Sequence, residues 1–154
     1  MIDLWRISKF RSLAGEGGLH YSARWHTAGR RIVYMAESPA GALIESLVHM
    51  ELNQRSWPSH YDLMQIAAPD GIEIETIKMS AEKRWKESPL VTRKAGDEWL
   101  RSKRTALARV PSAIMPNTWN VLLNPEHPAS TQIKVARITR AEFDLRLLPR
   151  KGES

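Results

Sequence analysis

The chain has 154 residues, 42% of them hydrophobic, a formal net charge of +6 and no cysteine, which sets aside disulfides, a thiol nucleophile and a cysteine-bound metal. That length fits one domain with a real core, and no run approaches the roughly 18 apolar residues of a membrane span. Nothing at the N-terminus joins a basic segment to an apolar stretch of signal length, so the expectation is a cytosolic protein without a membrane partner. The charge admits nucleic acid, a phosphorylated small molecule or an acidic protein without choosing among them. Basic residues are scattered through 30–31, 83–86, 93–94, 101–104 and 134–151 instead of forming one arm, which argues against a dedicated nucleic-acid surface.

Leu4-Trp5-Arg6-Ile7 predicts a first strand, and an arginine among apolar neighbours must either snorkel to solvent or meet an anion. Ala14-Gly15-Glu16-Gly17-Gly18 reads as a flexible loop; it follows no convincing strand, so it is not a Rossmann loop. After Arg24-Trp25-His26-Thr27-Ala28-Gly29 the apolar run Ile32–Ala36 predicts a strand with Ile32, Tyr34 and Ala36 on one face, Val33 and Met35 on the other, and both faces covered. Ser38 is a good N-cap and Pro39 suits the first helical position, and Ala40, Leu43, Ile44, Leu47 and Val48 follow as an apolar stripe to Met50. Glu45 falls beside that stripe, near Leu52 on the helical wheel and with small Gly41 one turn earlier. A carboxylate there can point along the rim of a cleft; the alternative is a solvated helical glutamate.

Trp57-Pro58-Ser59 predicts a turn, Tyr61–Ala67 a strand, Pro69-Asp70-Gly71 a tight turn and Ile72–Ile77 a further strand. Glu73 and Glu75 share one face of it, which reads as solvated rather than as a paired-carboxylate site. Ser80–Trp85 predicts a short helix, and Gly96-Asp97 a break before a second one carrying Trp99, Leu100, Lys103, Ala106 and Leu107, ending near Val110. Pro111 and Pro116 bracket Ser112 and restrict the backbone there. Trp119–Leu123 and Ile133–Ile138 are further strands, separated by the Asn124–Pro128 turn, and a basic tail runs from Arg140. The five histidines form no metal-binding pair, so no metal is expected. Together these elements predict a single α+β domain over 1–154, ordered to about 148, with a mixed or antiparallel sheet.

Arg24-Trp25-His26 with Gly29, Tyr34–Pro39, Ala42–Glu45, Val110–Ile114 with Pro116, and Asn120–Pro128 resemble the RES domain, the toxin half of bacterial RES–Xre toxin–antitoxin pairs. The resemblance covers essentially the whole chain; Ala23 departs from it, standing where a glycine precedes the arginine. It implies an ADP-ribosyltransferase-like fold, NAD consumed as a substrate rather than held as a cofactor, an Xre-family antitoxin as partner, and a complex in which a homo-oligomer is admitted. It also makes Ser112 the third member of an arginine–glutamate–serine set with Arg24 and Glu45. Arg6 and Asn120 join Arg24, Tyr34 and Ser112 as expected NAD-binding residues.

The chemistry fits those residue types. Breaking the nicotinamide–ribose bond passes through an oxocarbenium-like ribose while nicotinamide leaves neutral, so a nearby carboxylate helps and no leaving-group acid is needed. Glu45 matches that role, Arg24 and Arg6 match phosphate oxygens, and Tyr34, ten residues after Arg24 and eleven before Glu45, offers a ring for nicotinamide. Three readings follow: NAD cleavage by water or phosphate, ADP-ribosylation of a protein target, and a non-enzymatic basic nucleic-acid-binding or interaction module.

Overall fold

The computed structural model describes residues 1–49, 58–80 and 84–147. Its elements are β1 (Ile2–Ile7), α1 (Gly17–His20), β2 (Val33–Ala36), α2 (Pro39–His49), β3 (His60–Ala68), β4 (Ile74–Thr76), α3 (Pro89–Ser102), β5 (Leu107–Pro111), β6 (Trp119–Leu123) and β7 (Lys134–Glu142). Short 3-10 turns occupy Trp85–Glu87, Pro128–Gln132 and Leu145–Leu147. One seven-stranded sheet runs in the order β4-β5-β6-β2-β1-β3-β7. All pairs are antiparallel except β4 with β5, so the α+β domain has the mixed sheet expected of it.

Strand alternation divides the core between the two faces of this sheet. Leu4, Val33, Met35, Met64, Ile66, Leu107, Val121 and Leu123 pack together on one face. Ile32, Ala108, Val110 and Leu122 pack on the other with Trp25, Trp99 and Leu100, and Tyr34 lies against this second cluster. Both faces of the Ile32–Ala36 segment are therefore covered. Pairing of β2 with β6 sets Tyr34 opposite Leu122 and Ala36 opposite Asn120, which carries Asn120 to the end of β2 that feeds α2.

The start of α2 follows its sequence: the Gly41 N–H donates to the Ser38 hydroxyl at 3.0 Å. Its buried face does not. Ala40 is exposed and Val48 is 60% exposed, while Ala42, off the expected stripe, is 5% exposed. Small residues cause the rotation: a Cβ on Gly41 would stand 3.4 Å from the Ala36 Cβ, so the helix sits close against β2 through its Gly41-Ala42 side. That turn of the helix brings Glu45 toward the interior.

The helix expected to begin after Gly96-Asp97 instead runs from Pro89 to Ser102, through both residues. Gly96 serves close approach rather than chain reversal, since a Cβ there would lie 1.7 Å from the Trp25 carbonyl oxygen. The helix ends at Lys103 in the left-handed region, φ 51°. Residues 14–18 are likewise an ordered turn, with the Gly15 carbonyl accepting from Gly18 and Ile32 N–H groups at 3.2 and 3.4 Å. Of the two glutamates expected on a solvated face, Glu73 is exposed, and Glu75 forms a surface ion pair with Arg104, which forks across it and Glu98. The strand expected over Ile133–Ile138 spans Lys134–Glu142, so the segment from Arg140 begins inside the sheet. Trp57, residues 81–83 of the Ser80–Trp85 segment and residues 148–154 lie outside the described residues, as do Met50 and Leu52.

Candidate active site

A cleft of about 780 Å³ opens beside β1, β2 and α2, and Arg6, Arg24, Tyr34, Glu45 and Asn120 all line it. A smaller cavity of about 400 Å³ near Gly71, Arg104 and His127 brings none of these residues together. Ser112 reaches the site through Glu45 rather than from the cleft wall, where its neighbour Ala113 lies.

Glu45 is the best-held of the set. Its Oε1 accepts from the Ser112 hydroxyl at 2.9 Å and from the Asn120 Nδ2 at 2.8 Å, contacts that span 67 and 75 residues of sequence. Among the described residues no donor reaches Oε2, so one carboxylate oxygen is spent on orientation and the other keeps its lone pairs. Ser112 is itself fixed: it is 4% exposed, and its oxygen accepts from the Ile114 and Met115 N–H groups at 3.1 and 3.2 Å. Thr118 closes the Pro111–Pro116 loop by accepting from the Ser112 N–H at 2.9 Å. The carboxylate also settles the Asn120 amide, since only its NH₂ can face Glu45; this leaves Oδ1 buried with no partner among the described residues.

Arg24 stands at the tip of a tight turn, closed where the Ala23 N–H donates to the His26 carbonyl at 3.1 Å. The turn is gripped by α3. Thr92 Oγ1 donates to the Arg24 carbonyl, Arg93 Nε donates to the Ala23 carbonyl at 2.8 Å, and Asp97 accepts from the Thr27 N–H and hydroxyl at 2.9 and 2.7 Å. The guanidinium donates from Nη1 to the Lys86 carbonyl at 3.0 Å. Arg6, half-buried in β1, donates to the Ser8 hydroxyl at 3.2 Å. Burial lowers its pKa. Neither arginine makes an ion pair among the described residues. Two guanidinium groups without ion-pair partners among the described residues leave this cleft with donors suited to phosphate or carboxylate oxygens, beside the carboxylates of Glu16 and Glu45.

Tyr34 turns its hydroxyl back into the protein, where it bonds His26 Nδ1 at 2.7 Å and accepts from the Trp25 N–H at 3.2 Å. Burial raises its pKa, so the phenol keeps its proton. The sequence reading missed the α3 contacts and His26. Gly96-Asp97 was the available signal for the first, visible once a glycine is weighed as a point of close approach.

Comparisons with known proteins identify the family and the fold. The RES domain profile matches residues 3–146. Toxin Res of Pseudomonas putida is 42% identical, covering 86% of this chain and 90% of the relative. The Prs ADP-ribosylating toxin of Sphingobium sp. is 34% identical, covering 95% and 96%, and Toxin Res of Yersinia enterocolitica is 32% identical, covering 94% and 98%. The fold is similar to that of a chain in the crystal structure of the M. tuberculosis MbcT–MbcA toxin–antitoxin complex, with a TM-score of 0.70 at 13% identity, covering 91% of this chain and 84% of that one.

Proposed function

The chain belongs to the RES domain family, and from that premise we propose that it is the toxin of a RES toxin–antitoxin pair and cleaves NAD at the nicotinamide–ribose bond. The observation that carries the reading is Glu45, bound through one oxygen by Ser112 and Asn120 on the wall of a cleft that also holds Arg6 and Arg24. As the bond from the ribosyl carbon to the pyridinium nitrogen breaks, its electron pair moves to nitrogen and nicotinamide leaves neutral. Positive charge then grows on the ribose, and Glu45 supplies the fixed negative charge that stabilises it. Ser112 and Asn120 hold that carboxylate rather than attack. Arg24 and Arg6 bind the pyrophosphate, and the Tyr34 ring packs against the nicotinamide end. The acceptor oxygen attacks the ribosyl carbon to form the new C–O bond, and its proton passes to bulk water.

The Sphingobium relative, named as an ADP-ribosylating toxin, supports a second reading in which the acceptor is a side chain of a protein target. The two readings share every residue above and differ in what enters last. Running the purified protein on NAD with and without phosphate separates them: free ADP-ribose marks water, a phosphorylated ADP-ribose marks phosphate, and product only with added cell protein marks a protein target.

An Xre-family antitoxin is the partner proposed, and a cleft built for a dianionic pyrophosphate also attracts a carboxylate-bearing protein segment. The proposed inhibition is steric, with an acidic or C-terminal segment of the antitoxin over the entrance beside Arg24 and Glu45. In a bacterial host the chain alone should lower cellular NAD and arrest growth, and the antitoxin should relieve both. Harmless expression with unchanged NAD contradicts the toxin reading. Simultaneous binding of NAD and antitoxin contradicts only the steric block.

A further inference from the structure

His26 lies outside the residues assigned above, yet it is 2% exposed, lines the same cleft and touches Tyr34 directly. Its Nε2 is 3.2 Å from the Gly18 carbonyl oxygen, which only accepts, so Nε2 carries the ring proton. Burial lowers the pKa of the ring and keeps it neutral, outweighing the opposing pull of the Gly18 backbone hydrogen bond, Asp97 and the Tyr21 backbone, with a small push from Arg93 in the same direction as burial. Nδ1 is then a bare acceptor 2.7 Å from the Tyr34 oxygen, and the Tyr34 hydroxyl must be the donor. The same oxygen accepts the Trp25 N–H, so each N–H and O–H in the chain has an acceptor.

We propose that His26 is a positioning residue for NAD cleavage, holding Tyr34 through an Nδ1 acceptor so that the tyrosine ring and the Arg24 turn are presented to the substrate as one rigid unit. The connection runs from the Gly18 carbonyl of α1 through His26 and Tyr34 to the Trp25 N–H, one residue from Arg24. Gly18 is in turn wedged in place, since a Cβ on it would stand 2.4 Å from the Arg30 carbonyl oxygen and 3.2 Å from His26 Nε2. The imidazole makes no contact with reacting atoms in this role; it acts through Tyr34. The proposal rests on the NAD-cleavage reading for its catalytic consequence and on the hydrogen-bond geometry for its existence.

The two ring nitrogens can be tested separately. Asparagine in place of His26 keeps an acceptor near the Nδ1 position, and glutamine keeps a donor near the Nε2 position. If holding Tyr34 is what matters, His26→Gln loses on the order of 100-fold in kcat, as expected for a misplaced substrate-facing group, and His26→Asn loses far less. In a Tyr34→Phe background the two substitutions should become equivalent. The opposite ranking, equal losses, or an undiminished difference in Tyr34→Phe overturns the proposal. The ¹⁵N NMR spectrum of the wild-type imidazole supplies a readout that needs no turnover: a neutral Nε2–H tautomer whose Nδ1 signal shifts in Tyr34→Phe is expected, and an Nδ1–H tautomer overturns the proposal. A wild-type protein that leaves NAD intact would refute the functional reading, while the spectrum would still decide the His26–Tyr34 bond.

Discussion

Replacing Glu45 with glutamine isolates charge from shape. Both Ser112 and Asn120 donate to Oε1, so a glutamine must present its carbonyl to them; the reverse orientation would set an NH₂ against two donors. The hydrogen bonds persist in a neutral, weaker form, and the expected loss of stability is about 1–2 kcal/mol. The effect on reaction is larger. A unit charge about 4 Å from a developing cation is worth about 4 kcal/mol at an effective dielectric constant near 20. Losses on removing one such electrostatic partner run at roughly 10²–10³ in rate. Moreover, the glutamine NH₂ takes the place of Oε2 and offers a donor where the ribose cation calls for an anion. Initial rates of nicotinamide release, with a urea unfolding curve on the same preparation, measure both quantities. A folded variant within about threefold of the wild-type rate would remove Glu45 from the mechanism.

Arg24→Lys should fail to rescue activity and should raise KM as well as lower kcat, because an ammonium cannot span two phosphate oxygens; steady-state kinetics beside Arg24→Ala check this, and unchanged constants in the alanine variant would transfer the anchoring role to Arg6. Ser112→Ala removes one donor from Glu45 and an acceptor from the Ile114 and Met115 N–H groups, so a loss of about 1–3 kcal/mol in urea unfolding should accompany a reduced rate. Gly96→Ala should destabilise in spite of a helix-propensity gain of about 1 kcal/mol, because its Cβ meets the Trp25 carbonyl oxygen at 1.7 Å; a higher melting temperature would contradict the close-approach argument. For pH, burial holds the His26 pKa below its ordinary 6.5, so below that pH the unfolded chain binds the extra proton and stability falls as pH drops, by at most about 1.4 kcal/mol per unit from this group. Melting curves between pH 7 and pH 5 should show a shallower decline in His26→Asn than in the wild type.

Local chemistry was readable from the chain where one residue dictates one conformation. Ser38-Pro39 announces the start of α2, and the alternation of Val33–Ala36 announces a strand covered on both sides. Gly96 misleads because the same absent Cβ serves a turn or a close contact, and only the position of Trp25 across the fold decides between them. The buried side of α2 was misjudged for a related reason: hydrophobicity ranks Leu43 and Leu47 above Ala42, whereas a tight helix–strand contact selects the smaller side. Residue types at the site were legible through the family resemblance, but Asn120 meets Glu45 through pairing of β6 with β2, and Ser112 joins them through pairing of β6 with β5, registers that no local spacing encodes. His26 was invisible as a functional group because its tautomer depends on Gly18 and Tyr34 at once.

The most direct measurement is the time course of nicotinamide release when purified protein is mixed with NAD, run beside the folded Glu45→Gln variant and with added cell protein as a second acceptor. Stoichiometric nicotinamide from the wild type, at a rate at least 100-fold above the variant, is the expected result. No nicotinamide from a folded wild-type protein under either condition, or equal release by the two proteins, would contradict the assignment of this cleft and its carboxylate to NAD cleavage.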